Sequence, residues 1–228
     1  MSTLLLRLAG PLQSWGAGSK FDIRQTENQP TKSGVIGLLA AALGKKRDAD
    51  LSDLNELHFG IRADQPGMLL QDFHMVRKDD KISYVTRRYY LSDAIFLVGL
   101  ESNDKNFLLE LEEALHHPVF PLFLGRRSCP PTLPLCLGIR NKDLPNALRD
   151  EPWQVADWRQ IKWRRRHNNE NPHLRITVDT LPGMKRDVLQ KDLPITFDPR
   201  HRQYGYRGFT VMKDAEIELG THDPMQEL

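Results

Sequence analysis

Cations gathered beside hydroxyls, prolines and aromatic rings are the residues whose types and spacing point to chemistry here, and that chemistry is the binding of phosphate. Gly125-Arg126-Arg127-Ser128-Cys129-Pro130-Pro131 sets paired guanidiniums between a glycine turn and a rigid, donor-poor proline stretch. Two arginines on a restrained backbone can grip phosphates through bidentate hydrogen bonds, or can form ordinary surface ion pairs. Pro30-Thr31-Lys32-Ser33-Gly34 places a cation and hydroxyls just before a helical pattern. Free backbone N–H groups attract an anion there, although a plain helix cap has the same composition. Further on, Arg77, Lys78, Lys81, Arg87 and Arg88 interleave with His74, Tyr84, Tyr89 and Tyr90. The mixture is that of single-strand binders, in which charge tracks the backbone and rings stack on bases, or else it is ordinary sheet packing. A fourth block, Lys162-Trp163-Arg164-Arg165-Arg166-His167, is either a second cationic surface or a solvated loop.

Groups suited to catalysis are sparse. Adjacent His116 and His117 could serve as acid and base in RNA cleavage, but they fall in the last turn of a helical pattern, where the dipole favours histidine by itself. Asp48, Asp50 and Asp53 lack the glycine and terminal glutamate of a calcium loop. Gly10, Gly16 and Gly18 do not have dinucleotide-loop spacing, and Gly44-Lys45 closes a helix where a phosphate loop would open one. Cys129 and Cys136 stand seven residues apart, without the spacing of a zinc knuckle or redox pair, and read as reduced and structural. No metal and no cofactor is expected.

The elements that position these residues follow from hydrophobic period. Thr3 to Leu8 alternates as a half-buried strand, and Val35, Leu38, Leu39, Ala42 and Leu43 recur at helical spacing, with Thr31 or Ser33 as N-cap and Gly44 as stop. Phe59 to Ala63 reads as a strand, Met68 to Tyr90 as two extended arms around Lys78 to Lys81, and Ala94 to Leu100 as a strong strand. Asn103 opens a helix that Pro118 ends, and the apolar stretch Val119 to Leu124 follows. This order fits an α+β, ferredoxin-like (RRM-like) arrangement. From about Pro145 the texture changes: Trp153, Trp158 and Trp163 lie among polar residues, before apolar runs at 176–178, 195–197 and 209–212. Short strands and loops are expected there. The division expected is a core of residues 1–144, carrying a hairpin at about 68–92, and a small β-rich region of residues 145–228 appended to it.

The 228 residues, 39% hydrophobic and 27% charged, suffice for one medium domain or two small ones. The longest apolar run, Val35 to Leu43, is less than half of the roughly 20 residues that span a bilayer. Arg7 interrupts the first leucines, which argues against a secretory leader, so a cytoplasmic protein is expected. Net charge is +2, but six basic residues from Arg159 to Arg175 face Glu170 alone, so the rest of the chain is net negative. Such focusing suits a polyanion partner. A sequence-specific DNA reader would want a helix with cations on its outer face, and neither helical pattern above offers one.

Taken together, Leu8-Ala9-Gly10-Pro11-Leu12-Gln13-Ser14-Trp15-Gly16 and Pro30-Thr31-Lys32-Ser33-Gly34 running into Gly37-Leu38-Leu39-Ala40-Ala41-Ala42-Leu43-Gly44 resemble the N-terminal signature of CRISPR RAMP proteins. Asp72-Phe73-His74, Thr86-Arg87-Arg88-Tyr89-Tyr90-Leu91-Ser92-Asp93-Ala94 and Phe123-Leu124-Gly125-Arg126-Arg127-Ser128-Cys129-Pro130 extend the likeness to the CasD family, the subunit of type I-E Cascade at the 5′ handle of the guide. The likeness spans residues 4 to about 138.

The resemblance implies a non-catalytic subunit with a ferredoxin-like RAMP core, which holds the 5′ handle of crRNA and caps the backbone filament. Its implied partners are the backbone subunit (CasC family), the large subunit (CasA family) and, indirectly, target DNA. In the family a hairpin thumb presses on the guide and meets the neighbouring backbone subunit, and Asp72 to Tyr90 occupies its place, with a short tip at Lys78 to Lys81. RNA contact is carried over to Arg24, Lys32, Ser33, Arg88, Arg126, Arg127 and Ser128. Trp15, His74 and Tyr90 either stack on splayed bases or fill the core. Arg164, Arg165 and Arg166 are assigned to RNA, the large subunit or target DNA. The alternative is a metal-independent endoribonuclease, since related type I-C subfamilies cut the repeat themselves; His116, His117 and Tyr89 are its candidate groups.

Overall fold

A computed structural model of the chain describes residues 1–16, 23–77, 83–180, 187–212 and 214–217. Strands β1 (Ser2–Ala9), β2 (Leu12–Gln13) and β3 (Ile23–Arg24) precede helix α1 (Lys32–Ala42) and the short α2 (Ser52–Asn55). Strands β4 (His58–Gln65), β5 (Met68–Arg77), β6 (Ser83–Ser92) and β7 (Ile95–Ser102) lead to α3 (Lys105–His116), followed by β8 (Cys136–Arg140), α4 (Leu144–Asp150) and α5 (Asp157–Arg166). Strands β9 (His173–Leu174), β10 (Ile176–Asp179), β11 (Val188–Thr196), β12 (Gln203–Val211) and β13 (Ala215–Glu216) complete the order.

Four strands run antiparallel in the order β8-β1-β7-β4, with α1 following β1 and α3 following β7, which is the ferredoxin-like arrangement the sequence pattern predicts. The last strand, however, is β8 and not the apolar stretch 119–124. Pro121 breaks that stretch as a possible ladder. The Val119 and Phe120 amides instead donate to the carbonyls of Ala42 and Ala41 (3.0 and 3.2 Å), satisfying the end of α1.

The expected half-buried character of β1 also gives way. Leu4, Leu6 and Leu8 join α1 and α3 in one core, while Leu5 joins Leu97, Leu144 and Leu148 in a second core under α4, so the strand is covered on both faces. The close approach of α4 depends on Gly60 and Gly99, which are cross-strand partners. A Cβ on Gly99 would lie 2.5 Å from Leu144 Cδ1, and one on Gly60 would lie 2.9 Å from Leu148 Cδ1. Fully buried Arg62 fixes the far end of α4: it grips Asp64 through both arms and donates to the carbonyls of Leu148, Glu151 and Pro152.

Beyond residue 145 the chain is not strands and loops alone, since α4 and α5 are helices. Helix α5 buries no residue, so it has no apolar period for sequence reading to detect. Strand β10 pairs with β4, and β12 and β11 follow, so the ferredoxin sheet continues without a break into these residues. A second sheet holds the hairpin: β5 pairs with β6, whose other edge takes β2 and β3. The hairpin tip at Lys78 to Lys81 lies outside the described residues.

Candidate nucleic-acid interface

The N-terminus of α1 is built as an internal clasp. Thr31 caps the helix, its Oγ1 accepting from the Gly34 amide (3.2 Å), and the Lys32 amide donates to Asp192 Oδ2 (2.9 Å). The Lys32 ammonium, almost fully buried, donates to the Leu57 carbonyl (2.8 Å) and pairs with Asp179 (3.0 Å). Arg207 closes the circuit, with Nε and Nη2 on Asp192 (2.9 and 2.8 Å) and Nη1 on Asp179 (2.5 Å). Burial works against the charge of Arg207, but Asp192 and Asp179 outweigh it and hold its pKa above the ordinary value. The anion that this helix end attracts is therefore a carboxylate of β11. Lys32 and Ser33, expected to meet RNA, are buried in this clasp, so that expectation is corrected.

Trp15 is corrected in the same way. It is fully buried, its Nε1 donates to Gln13 Oε1 (3.0 Å), and its ring lies so close to α1 that a Cβ on Gly34 would be 2.8 Å away. Tyr90 is buried too, beneath the Arg126 guanidinium, whose carbon stands 4.7 Å from the ring centroid. Neither ring is open to a base. His74 is exposed on β5, where its Nε2 meets the Asp72 carboxylate.

Of the remaining cations, Arg24, Arg88 and Arg126 meet on one face of the hairpin. Strand pairing aligns Arg24, Arg88 and Asp72 in one row and Ile23, Arg87 and Phe73 in the next, and alternation turns the two rows to opposite faces. Arg126 reaches the Arg88 face from the 124–129 turn: its Nη2 donates to the Arg24 carbonyl (2.9 Å) while its charge covers Tyr90. That turn is closed by two backbone bonds, Leu124 to Cys129 (2.7 Å) and Cys129 to Arg126 (2.9 Å), and is docked by the Ser14 amide on the Leu124 carbonyl (3.1 Å). Gly125 at φ +81° permits the docking, because a Cβ there would lie 1.8 Å from the Ser14 oxygen. Arg127 and Ser128, on the same turn, are exposed.

The guanidiniums here hold no carboxylate at ion-pair distance, although Asp72 shares the row of Arg24 and Arg88 and is met by His74. Among the described residues, Arg24, Arg88, Arg126 and Arg127 have no ion pair, whereas Lys32, Arg62, Arg140 and Arg207 each hold a carboxylate. Arg88 Nε, Arg126 Nη1 and Thr86 Oγ1 are buried atoms without a hydrogen-bond partner among the described residues. Buried donors left without an acceptor are costly, and an oxyanion arriving there would relieve them. Sequence reading missed Thr86, whose place opposite His74 follows only from the hairpin register.

The other candidates lie apart from this face. His117 caps α3 and pairs with Glu113 (2.9 Å), His116 lies by Glu112 and Cys136, and Tyr89 sits on the hairpin with its carbonyl accepting from Ser14 Oγ (3.1 Å). No described contact joins these three groups into an acid–base set. Arg164, Arg165 and Arg166 form the last turn of α5, where cations suit the helix dipole, and Trp163 stacks on His167 (3.7 Å) and meets Trp153 edge-on (5.6 Å). The block expected as surface charge or loop is thus a cationic helix. No helix among the described residues is long and apolar enough to cross a membrane.

Comparison with known proteins finds relatives of the whole fold. Residues 3–210 match the sequence profile of a family described as CRISPR-associated protein (Cas5). Over 159 residues, 60% of this chain and 70% of the relative, the sequence is 40% identical to "CRISPR system Cascade subunit CasD" of Escherichia coli (strain K12). A solved chain of a "CRISPR RNA-guided surveillance complex" superposes with a TM-score of 0.77 at 31% identity, covering 94% of this chain and 90% of that one. A second, titled "Crystal structure of Cas protein", superposes with a TM-score of 0.71 at 38% identity, covering 96% and 98%.

Proposed function

The chain belongs to the CRISPR-associated Cas5 family, and from that membership we propose that it is a non-catalytic, RNA-binding subunit of a type I-E surveillance complex, which holds the 5′ handle of crRNA and caps the backbone filament. The observation that carries the proposal is the cluster of unpaired guanidiniums on the hairpin, with Arg88 Nε and Arg126 Nη1 buried and lacking acceptors. Phosphate oxygens supply those acceptors. Arg24, Arg88, Arg126, Arg127 and Ser128 then grip the handle backbone, and exposed His74 offers a ring to an unstacked base. Holding geometry while leaving target sequence to guide pairing is the division of labour that RNA-guided complexes use.

The opposite hairpin face serves the neighbour. Ile23, Leu69, Phe73, Met75 and Val85 are exposed there, with Arg87 and Gln71 among them, a mixed apolar surface that suits contact with the CasC-family backbone subunit. The cationic α5 is left to the CasA-family subunit, RNA or target DNA.

The test is to mix the purified chain with labelled repeat RNA and mature guide RNA in EDTA and to score binding and cleavage on one gel. Handle binding without product supports the assembly role. A discrete metal-independent cut within the repeat, lost on His116→Ala or His117→Ala, would replace it with the endoribonuclease reading.

A further inference from the structure

We propose that Glu112, His116 and Cys136 form a binding site for a divalent transition metal, with Zn²⁺ the ion that best fits its donors. Glu112 and His116 are four residues apart on α3 and so share one helix face, and Cys136 opens β8, which packs beside that helix. A carboxylate oxygen, an imidazole nitrogen and the thiol sulfur all lie within 4.8 Å of one another. The cysteine spacing that argued against zinc concerned sequence neighbours, whereas these ligands come from two elements that only the fold brings together.

Three features favour an ion over a chance cluster. First, the donor set is mixed: thiolate, imidazole and carboxylate together suit Zn²⁺, while Ca²⁺ and Mg²⁺ take oxygen alone. Second, two of the three groups are unengaged: among the described residues the half-buried Glu112 has no ion pair and His116 no hydrogen bond, although Glu113 on the next position pairs with His117. Third, β8 is shaped around the cluster. A Cβ on Gly138 would sit 3.2 Å from Glu112 Oε1, and the Gly138 amide donates to the Cys136 sulfur, as the outer hydrogen bonds of thiolate ligands do.

Tetrahedral coordination with bonds of roughly 2.0–2.3 Å needs ligand atoms about 3.3–3.8 Å apart. Closing the remaining gap takes rotation of the Glu112 and His116 side chains, the second of which is exposed. Water fills the fourth position. Binding forms a metal–sulfur bond and releases the thiol proton of Cys136 to solvent. The ion would tie the C-terminal turn of α3 to β8, at the two ends of the connection that carries Arg126, Arg127 and Ser128.

The probe is Co²⁺, titrated into the reduced, EDTA-treated full chain. A thiolate-to-metal charge-transfer band saturating at one equivalent is expected, bleached by Zn²⁺ and unchanged by Cys129→Ser. Cys136→Ser removes the band, and His116→Ala weakens binding by more than the roughly 10- to 100-fold that loss of an outer hydrogen-bond partner causes. Zn²⁺ at about a hundred times its Kd raises Tm by about 5–10 °C, a shift that Cys136→Ser abolishes. Because His116 is exposed, His116→Ala keeps the test sound even where Cys136→Ser melts early. Absence of a thiolate band, its persistence in Cys136→Ser, or full affinity in His116→Ala overturns the site.

Discussion

Arg88 and Arg87 are adjacent in sequence and opposite in orientation, and this makes them the sharpest probe of the hairpin face. Replacing Arg88 with alanine removes a guanidinium whose buried Nε has no acceptor among the described residues, and Arg126→Ala removes a second, at Nη1. If each donates to a phosphate oxygen, each loses a hydrogen bond to a charged group, about 1.5–3 kcal/mol, or roughly 10- to 150-fold in Kd. The salt dependence gives an independent reading, because each neutralised phosphate on a single strand contributes about 0.7 to the slope of log K against log salt. The double variant should therefore flatten the slope by about 1.4, while Arg87→Ala leaves affinity and slope nearly unchanged. Arg126→Ala also uncovers Tyr90, at a cost of about 0.5–2 kcal/mol in stability, so melting curves must accompany the titrations. The assay is anisotropy of labelled guide RNA at four or more salt concentrations. An unaltered slope in the double variant, or an equal effect of Arg87→Ala, refutes the assignment of this face to RNA.

Other outcomes concern the supports of the site. Arg207→Ala strands the Asp179 and Asp192 carboxylates in the clasp and should destabilise by about 3–5 kcal/mol, read as a fall of roughly 6–20 °C in Tm. Lys142→Ala, which removes an exposed pair with Asp150, should shift stability by less than about 1 kcal/mol. Trp15→Ala should lower the urea midpoint by an amount equivalent to about 3–5 kcal/mol without altering the salt slope of RNA binding, as expected of a core ring and not a stacking platform. Gly99→Ala forces a methyl against Leu144 and should cost about 1–3 kcal/mol by denaturant titration, with guide binding retained in the folded fraction.

Much of the fold was readable because it rests on local period and end signals. The leucine alternation of β1, the spacing of α1 with Thr31 before it, and the arms of the hairpin each follow from residues within one element. The same holds for the cationic character of the 125–128 turn. Misreadings arose where a segment's partner lies far away in sequence. Val119 to Leu124 has the apolar content of a strand, yet its amides serve the end of α1. Helix α5 turns no apolar face inward, so no period betrayed it.

By itself, then, the sequence determined the ferredoxin-like order of elements, the family likeness and the cationic character of the turn and hairpin, since these depend on composition and short-range spacing. Tertiary structure alone decided which cations are free. Lys32 and Arg126 look alike in sequence, each a base beside a serine or arginine near a glycine, but Lys32 is met by Asp179 from 147 residues away while Arg126 meets no carboxylate among the described residues. A buried charge must find its counter-charge wherever the fold supplies one, and that supply is set by sheet order and not by neighbours in the chain. The pairing of β10, β11 and β12 onto β4 brings Asp179, Asp192 and Arg207 to α1, converting an apparent phosphate site into a brace, while the hairpin arginines keep no carboxylate among the described residues.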